Sequence, residues 1–294
     1  MRRRSLFILS ALGVRRAGYA AFVCFVICGA IQAQEATRPK IVVDFEGNKI
    51  FSKQELIKIT NRCLDQYRKA GSADDSAQIE YCLHKVRVFM FGKGYLKSKL
   101  GEPRRTQAEN GSQFVVSIDE GPRYRVGEVK VEGSKLFTPA QILEIIALKA
   151  GDISNGEKLS EGLYERVKKA YAKFGYIQYT AEVTPNYHLA AGATEGTVDF
   201  GVTIDEGQEF TIRSIKFDGN GDIPEEALLE QMLVRSGEVF NKELLDDSLK
   251  RIDQTGQFET IDCEKDVDYR SVGKNPQLDL TIHLKKKAGA DNSP

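Results

Sequence analysis

The stretch Val129-Lys130-Val131-Glu132-Gly133-Ser134 decides the fold, because its pattern returns at Phe45-Glu46-Gly47-Asn48 and at Phe217-Asp218-Gly219-Asn220. Gly47, Gly133 and Gly219 are separated by 86 residues at each step. Two other landmarks keep the same order. Asp119-Glu120-Gly121 returns 86 residues later as Asp205-Glu206-Gly207. Gly94-Tyr95 returns after 81 residues as Gly175-Tyr176, and after 81 more as Gly256-Gln257-Phe258. Landmarks that repeat in register mark repeated structural units. The sequence therefore divides into units at residues 38–121, 122–207 and 208–287, with a polar tail at 288–294.

Working outward from Gly133, Val129 and Val131 alternate with polar residues, the pattern of a half-buried strand. Thr138-Pro139 places a hydroxyl at an N-cap and proline at the first helical position. Ile142, Leu143 and Ile146 give that helix its apolar stripe, and Gly151-Asp152 ends it. A second helix is expected from Glu157, with Leu159, Leu163, Val167, Tyr171 and Phe174 on one face and Gly175 at its C-terminal cap. Ile177, Tyr179, Ala181 and Val183 then alternate as a strand, as do Val198, Phe200, Val202 and Ile204.

The third unit repeats the order with Ile215/Phe217, helices near 225–234 and 242–255, and strands at Ile261/Cys263 and Leu278–Leu284. The first has Ile41–Phe45, a helix from Ser52, and a second helix carrying Ile79, Leu83, Val86 and Met90. Its closing strands are Leu96–Leu100 and Phe114–Ile118, and its extra length falls at the helix–helix corner. The fold class is α+β: three tandem β-α-α-β-β units, each a small three-stranded mixed sheet covered by two antiparallel helices. The last strand of each unit is expected in the middle of its sheet. The strand before it then lies at an edge, with unpaired backbone groups.

Residues 1–33 read as an export signal: Arg2, Arg3, Arg4, Arg15 and Arg16 lead into the uncharged run Ala17–Ile31, and Ala33 is a small residue suited to cleavage. That run is shorter than the roughly 20 residues of a spanning helix. Without these five arginines, 37 basic residues face 42 acidic ones, which disfavours a nucleic-acid partner. Two of the five cysteines, Cys24 and Cys28, belong to the leader. Cys63, Cys82 and Cys263 remain for an oxidising compartment. Cys63 and Cys82 are equidistant from the expected corner Gly71–Asp74, as a disulfide across two antiparallel helices requires. Cys263 alternates with Ile261 and is expected as a buried free thiol.

The motifs Val129–Ser134, Lys149-Ala150-Gly151-Asp152, Tyr171–Tyr176 and Ile204–Gly207 resemble the POTRA (polypeptide-transport-associated) repeat of BamA/TamA-type outer-membrane assembly factors. So do Ile215–Asn220, Arg235–Phe240, Gly256–Phe258 and Leu280–Leu284, while the first unit matches more loosely. Family members in the outer membrane continue into a C-terminal β-barrel. Only the short polar tail at 288–294 follows the third repeat, so none is expected here. The resemblance implies a periplasmic adaptor associated with the outer membrane. Its partners would be outer-membrane assembly subunits or a separately encoded β-barrel, and unfolded outer-membrane client proteins. It also implies binding by β-augmentation, in which an extended peptide adds to a sheet edge. The positions expected for this are Ile177, Gln178, Tyr179, Thr180, Ala181, Glu182 and Val183 in the second unit. In the third they are Phe258, Glu259, Thr260, Ile261 and Asp262. Lys97 and Lys99 look like charges that protect the Leu96–Leu100 edge from pairing.

Enzyme chemistry is not expected. His84, His188 and His283 fall in three different units, so no metal cluster is suggested, and the sequence has neither a P-loop nor a nucleophile elbow. Glu225-Glu226 and Asp246-Asp247 are neighbours that point apart on helices. No catalytic residue, cofactor or small-molecule substrate is assigned. The competing reading is a scaffold anchored in the inner membrane by Ala17–Ile31, of the FtsQ division-protein type.

Overall fold

The computed structural model describes residues 40–70, 75–108, 111–272 and 275–287. The leader at 1–33, the corner at 71–74 and the tail at 288–294 lie outside the described residues. In chain order the first part contains β1 (Lys40–Glu46), α1 (Lys53–Ala70), α2 (Asp75–Gly92), β2 (Lys99–Leu100), β3 (Arg104–Ala108) and β4 (Gly111–Asp119). Next come β5 (Arg123–Glu132), α3 (Pro139–Ile146), α4 (Gly156–Glu161), a π-helical turn (Gly162–Val167), α5 (Lys168–Ala172), β6 (Thr180–His188) and β7 (Glu195–Asp205). The last part holds β8 (Thr211–Asp218), α6 (Glu225–Leu229), α7 (Lys242–Gln254), β9 (Val267–Ser271) and β10 (Gln277–His283).

Each closing strand is central. The sheets run β5-β7-β6 and β8-β10-β9, with the first strand parallel and the penultimate strand antiparallel to the middle one. In the first sheet β1 lies parallel to β4, and both β2 and β3 pair antiparallel with β4 on its other side. Of the strand expected at Leu96–Leu100 only Lys99–Leu100 pairs, and a second segment not expected from the sequence, Arg104–Ala108, follows Gly101-Glu102-Pro103, where proline cannot donate to a ladder. Each sheet has its own apolar cluster. The cores are built around Phe45, Val86 and Met90, around Tyr124, Leu163 and Tyr171, and around Phe240, Leu249 and Leu280.

Side-chain caps start the helices where polar residues stand at their ends. Thr138 and Gln141 cap each other's backbone at α3, and Asn155 and Asn241 cap α4 and α7. The single second helix expected from Glu157 is interrupted by the π turn, and Phe174 lies off its buried face, 48% exposed. Two features account for the interruption. Gly162 packs against Ile146, where a Cβ would meet its Cα at 3.0 Å. Arg166 bends back to donate to the Ile145 and Ile146 carbonyls at 3.0 and 2.8 Å. The helix expected over 225–234 ends at Leu229. The Leu233 N–H instead donates to Ser248 Oγ on α7 at 2.7 Å.

The Asp-Glu-Gly landmark is a structural staple. Glu120 is buried and accepts from the N–H groups of Lys49, Ile50 and Phe51 at 2.8, 2.9 and 3.2 Å. Glu206 does the same for Lys135 and Leu136 at 2.7 and 2.8 Å, and also accepts from the Tyr171 hydroxyl at 2.9 Å. Burial alone would raise the Glu206 carboxyl. The donors from Leu136, Lys135 and Tyr171 outweigh it and hold the group below its ordinary value.

Candidate functional site

Two of the sheet edges are closed by the chain itself. Along β5, Val126 N–H donates to the Asp152 carbonyl, Gly151 N–H to that of Val126 and Ser154 N–H to that of Tyr124, at 2.9, 2.8 and 3.0 Å. Along β8, Ile212 N–H donates to Glu238, Gly237 N–H to Ile212 and Phe240 N–H to Phe210, at 2.8, 2.7 and 2.8 Å. The Gly-Asp and Gly-Glu pairs between the helices thus seal the first-strand edges. The turn needs Gly151 and Gly237 because φ is +85° and +89° there.

The Gly-aromatic landmark joins consecutive sheets. Tyr124 N–H donates to the Gly94 carbonyl at 2.8 Å, and Phe210 N–H to that of Gly175 at 3.0 Å. A Cβ at either glycine would come within 2.9 Å of the following segment's backbone. Lys97, which lies outside any strand, reaches forward and places its Nζ 4.2 Å from the centre of the Tyr187 ring on β6.

Among the described residues of the second and third sheets, the outer sides of the penultimate strands β6 and β9 carry no such backbone closure. The sequence expectation for them was displaced. Thr180, Ala181, Glu182 and Val183 lie in β6, but Ile177, Gln178 and Tyr179 precede it. These three belong to the turn begun at Gly175, and Tyr179 is buried with its ring stacked on Tyr171 at 4.8 Å. Phe258, Glu259, Thr260, Ile261 and Asp262 also precede their strand, which begins at Val267. Phe258 is fully buried and makes a single antiparallel bridge to Lys286. Carboxylates then hold the chain in turns: Asp253 accepts from Ile261 N–H at 3.0 Å, Asp262 from Glu264 N–H at 2.9 Å, and Asp266 from Asp262 N–H at 2.9 Å. The acid-rich run Asp262-Cys-Glu-Lys-Asp266 is a turn signal that alternation at Ile261/Cys263 concealed.

Sequence reasoning passed over Pro185, Tyr164, Tyr269 and Ser271 at these edges. Proline inside an alternating run was an available sign that β6 is an edge. Tyr164 comes from the π turn, and its hydroxyl donates to the Ala181 carbonyl at 3.0 Å.

On the solvent face of the third sheet, His283 lies between Asp218 on β8 and Asp268 on β9, with Nδ1 and Nε2 at 3.1 and 3.0 Å. The Asp268 and then the Asp218 contacts raise its pKa. Cys63 and Cys82 form a disulfide between α1 and α2 with Cα atoms 5.6 Å apart. Cys263 is half-buried rather than fully buried, because it stands in the turn with its Sγ 3.0 Å from the Tyr269 hydroxyl. Burial pushes its thiol up, against an opposing pull from that hydroxyl.

Three mixed sheets, each with a helix pair and two of them sealed along the first strand, are joined by glycine-carbonyl junctions and define a tandem α+β repeat protein. The family model described as "POTRA: Surface antigen variable number repeat" matches residues 124–207 and 210–287. This is more than half of the 294 residues, and the chain belongs to that family. A putative outer membrane protein assembly factor of Treponema pallidum is 23% identical over 258 residues, covering 85% of this chain and 29% of the relative. The outer membrane protein assembly factor BamA of Neisseria meningitidis is 21% identical over 266 residues, covering 88% of this chain and 32% of the relative. The chain thus spans about a third of the length of these relatives. The crystal structure of Haemophilus influenzae BamA POTRA3-5 superposes with a TM-score of 0.65 at 20% identity, covering 85% of this chain and 96% of that one, which shows the shared fold. Among the described residues, no helix is long and apolar enough to cross a membrane.

Proposed function

We propose that the protein is an exported periplasmic adaptor in outer-membrane protein assembly or export, which binds partner subunits or unfolded client strands by β-augmentation. The observation that carries this reading is the pairing pattern. Among the described residues, the chain closes the first-strand edges along β5 and β8 and pairs no further strand with the outer sides of β6 and β9. Main-chain pairing makes little demand on client sequence, which suits a component that meets many unfolded barrels. The assembly-factor relatives support the setting. The division into three repeats at 38–121, 122–207 and 208–287, behind a leader cleaved near Ala33, completes the proposal. The expected partners are outer-membrane assembly subunits, a separately encoded barrel and unfolded barrel clients. Crosslinking in the native envelope tests it. Recovery of assembly subunits or barrel proteins is expected. Recovery of neither, together with an unchanged barrel-protein content on deletion, would overturn it.

A further inference from the structure

The helix layers of the second and third units keep the same spacing, so their differences can be compared position by position. At a distance of 86 residues, Leu228 stands for Ile142, Met232 for Ile146 and Leu245 for Leu159, and all six are buried. Two positions outside the core change character. Leu233 replaces Ala147, and Leu244 replaces Lys158. Packing inside the third unit gives no reason for these leucines: with Leu229 they are 38–42% exposed. Val239 and Phe174 are exposed as well, and a Cβ at Gly175, next to Phe174, would meet Val239 at 2.9 Å. Single exposed leucines are common on protein surfaces, whereas a group of them marks a contact surface.

The leucines lie in the middle of a three-helix face. Leu233 N–H donates to Ser248 Oγ at 2.7 Å, and that hydroxyl donates to the Leu244 carbonyl at 2.6 Å, which ties the end of α6 to α7. Glu243 at the start of α7 pairs with Lys173 at the end of α5 at 2.8 Å. Glu243 and Ser248 are five residues apart, about 140° around a helix, and Leu244 falls between them. The α5 and α6 segments therefore flank α7 on opposite sides of the exposed leucines.

Charge over this face is nearly balanced but sorted by sign. Residues 168–173 and 225–254 together hold seven basic and eight acidic side chains. The α5 flank, 168–173, contributes three lysines and no acid, whereas the α6 flank, 225–230, contributes three glutamates and no base. On α7 itself, Lys242 and Lys250 are already paired with Asp246 and Asp247. Near-neutrality argues against a strongly charged partner. An apolar centre between a basic and an acidic flank is complementary to itself about a two-fold axis, which lays each α5 over the α6 of the other copy.

We infer that the face formed by α5, α7 and α6 binds a second copy of this chain as a two-fold dimer. Leu233 and Leu244 lie at its centre, and Lys168 and Lys169 of one copy face Glu226 and Glu230 of the other. The dimer goes beyond strand addition and does not depend on it. The exposed group is small, so the association is reversible.

Sedimentation velocity of the full chain, produced with its own leader, tests this from micromolar to several hundred micromolar concentration. A monomer–dimer equilibrium is expected, weakened severalfold by high salt. Leu233→Ala with Leu244→Lys installs the second unit's residues and should weaken the dimer at least tenfold, with the circular dichroism spectrum unchanged. Lys168→Glu with Lys169→Glu should weaken it to a similar extent, and so should Glu226→Lys with Glu230→Lys. Mixed in equal amounts, these two charge-reversed chains should recover a dimer holding one of each, because every reversed flank then meets its opposite. A chain that stays monomeric throughout the range would overturn the inference. So would a dimer indifferent to the leucine substitutions, association that grows past the dimer, or charge-reversed chains that fail to pair when mixed.

Discussion

Replacing Glu206 with alanine removes the acceptor for three donors at once: the N–H groups of Lys135 and Leu136 and the Tyr171 hydroxyl. Glu206 is 8% exposed, so water replaces the carboxylate only in part. A hydrogen bond to a charged group contributes about 1.5–3 kcal/mol, and a buried donor left without a partner costs about 1–3 kcal/mol. Full additivity would overstate the loss, because the three donors share one carboxylate and relax together. A destabilisation of about 3–5 kcal/mol is expected for Glu206→Ala. Glu206→Gln keeps a carbonyl oxygen near the backbone donors and should lose about 1–2 kcal/mol, the charge-assisted share. Urea unfolding followed by circular dichroism reads the total. Exchange of the Lys135 and Leu136 amides localises it. The pH dependence has a definite sign. The folded Glu206 carboxyl titrates below its ordinary 4.5, so its stabilisation is complete above that pH and disappears as pH falls through the lower folded value. A Glu206→Ala variant within about 1 kcal/mol of the parent, with both amides still protected, would refute the staple.

Two other perturbations separate the first sheet from the third. Reducing the Cys63–Cys82 disulfide, which bridges a sequence separation of 19, should destabilise the first unit by about 3 kcal/mol on the loop-entropy model. Thermal scans with and without reductant should show the early loss confined to α1, α2 and β4; a uniform shift of all three sheets would contradict the assignment. His283 should titrate above an ordinary histidine, because Asp268 and Asp218 favour its cation. Its contribution is therefore fully present below about pH 6.5 and fades as pH rises through the raised folded value. Carbon-13 or nitrogen-15 histidine shifts across pH 5 to 9 measure this, and Asp268→Asn should move His283 back down. A titration unmoved by that substitution would remove Asp268 as the cause.

The parts of the fold legible in the sequence are those where the backbone has no alternative. Gly133 has φ of +86° and would bring a Cβ to 2.1 Å from the Ile204 carbonyl, so its recurrence marks a fixed point in each sheet. Glu206 and Gly175 likewise recur because one anchors the turn and the other receives the following strand's N–H. Residues fixed by contacts across the repeat keep their spacing, and spacing is visible in a string of letters. The penultimate strands are different. Their start depends on how many residues the preceding turn consumes: Thr180 follows Gly175 by five residues, whereas Val267 follows Gly256 by eleven. In the third unit Asp253, Asp262 and Asp266 lengthen the turn through side-chain acceptors that apolar alternation does not register. The same reason hid Tyr164, whose place over β6 depends on the π turn and hence on the close packing of Gly162 against Ile146. Among the described residues, the penultimate strands β6 and β9 have no pairing strand on their outer side to hold their register. Their length, the proline in β6 and the Tyr164 contact on it can therefore vary from unit to unit while the staples and junctions stay in step. Differences between units, rather than their likeness, are thus the place to look for what each one binds.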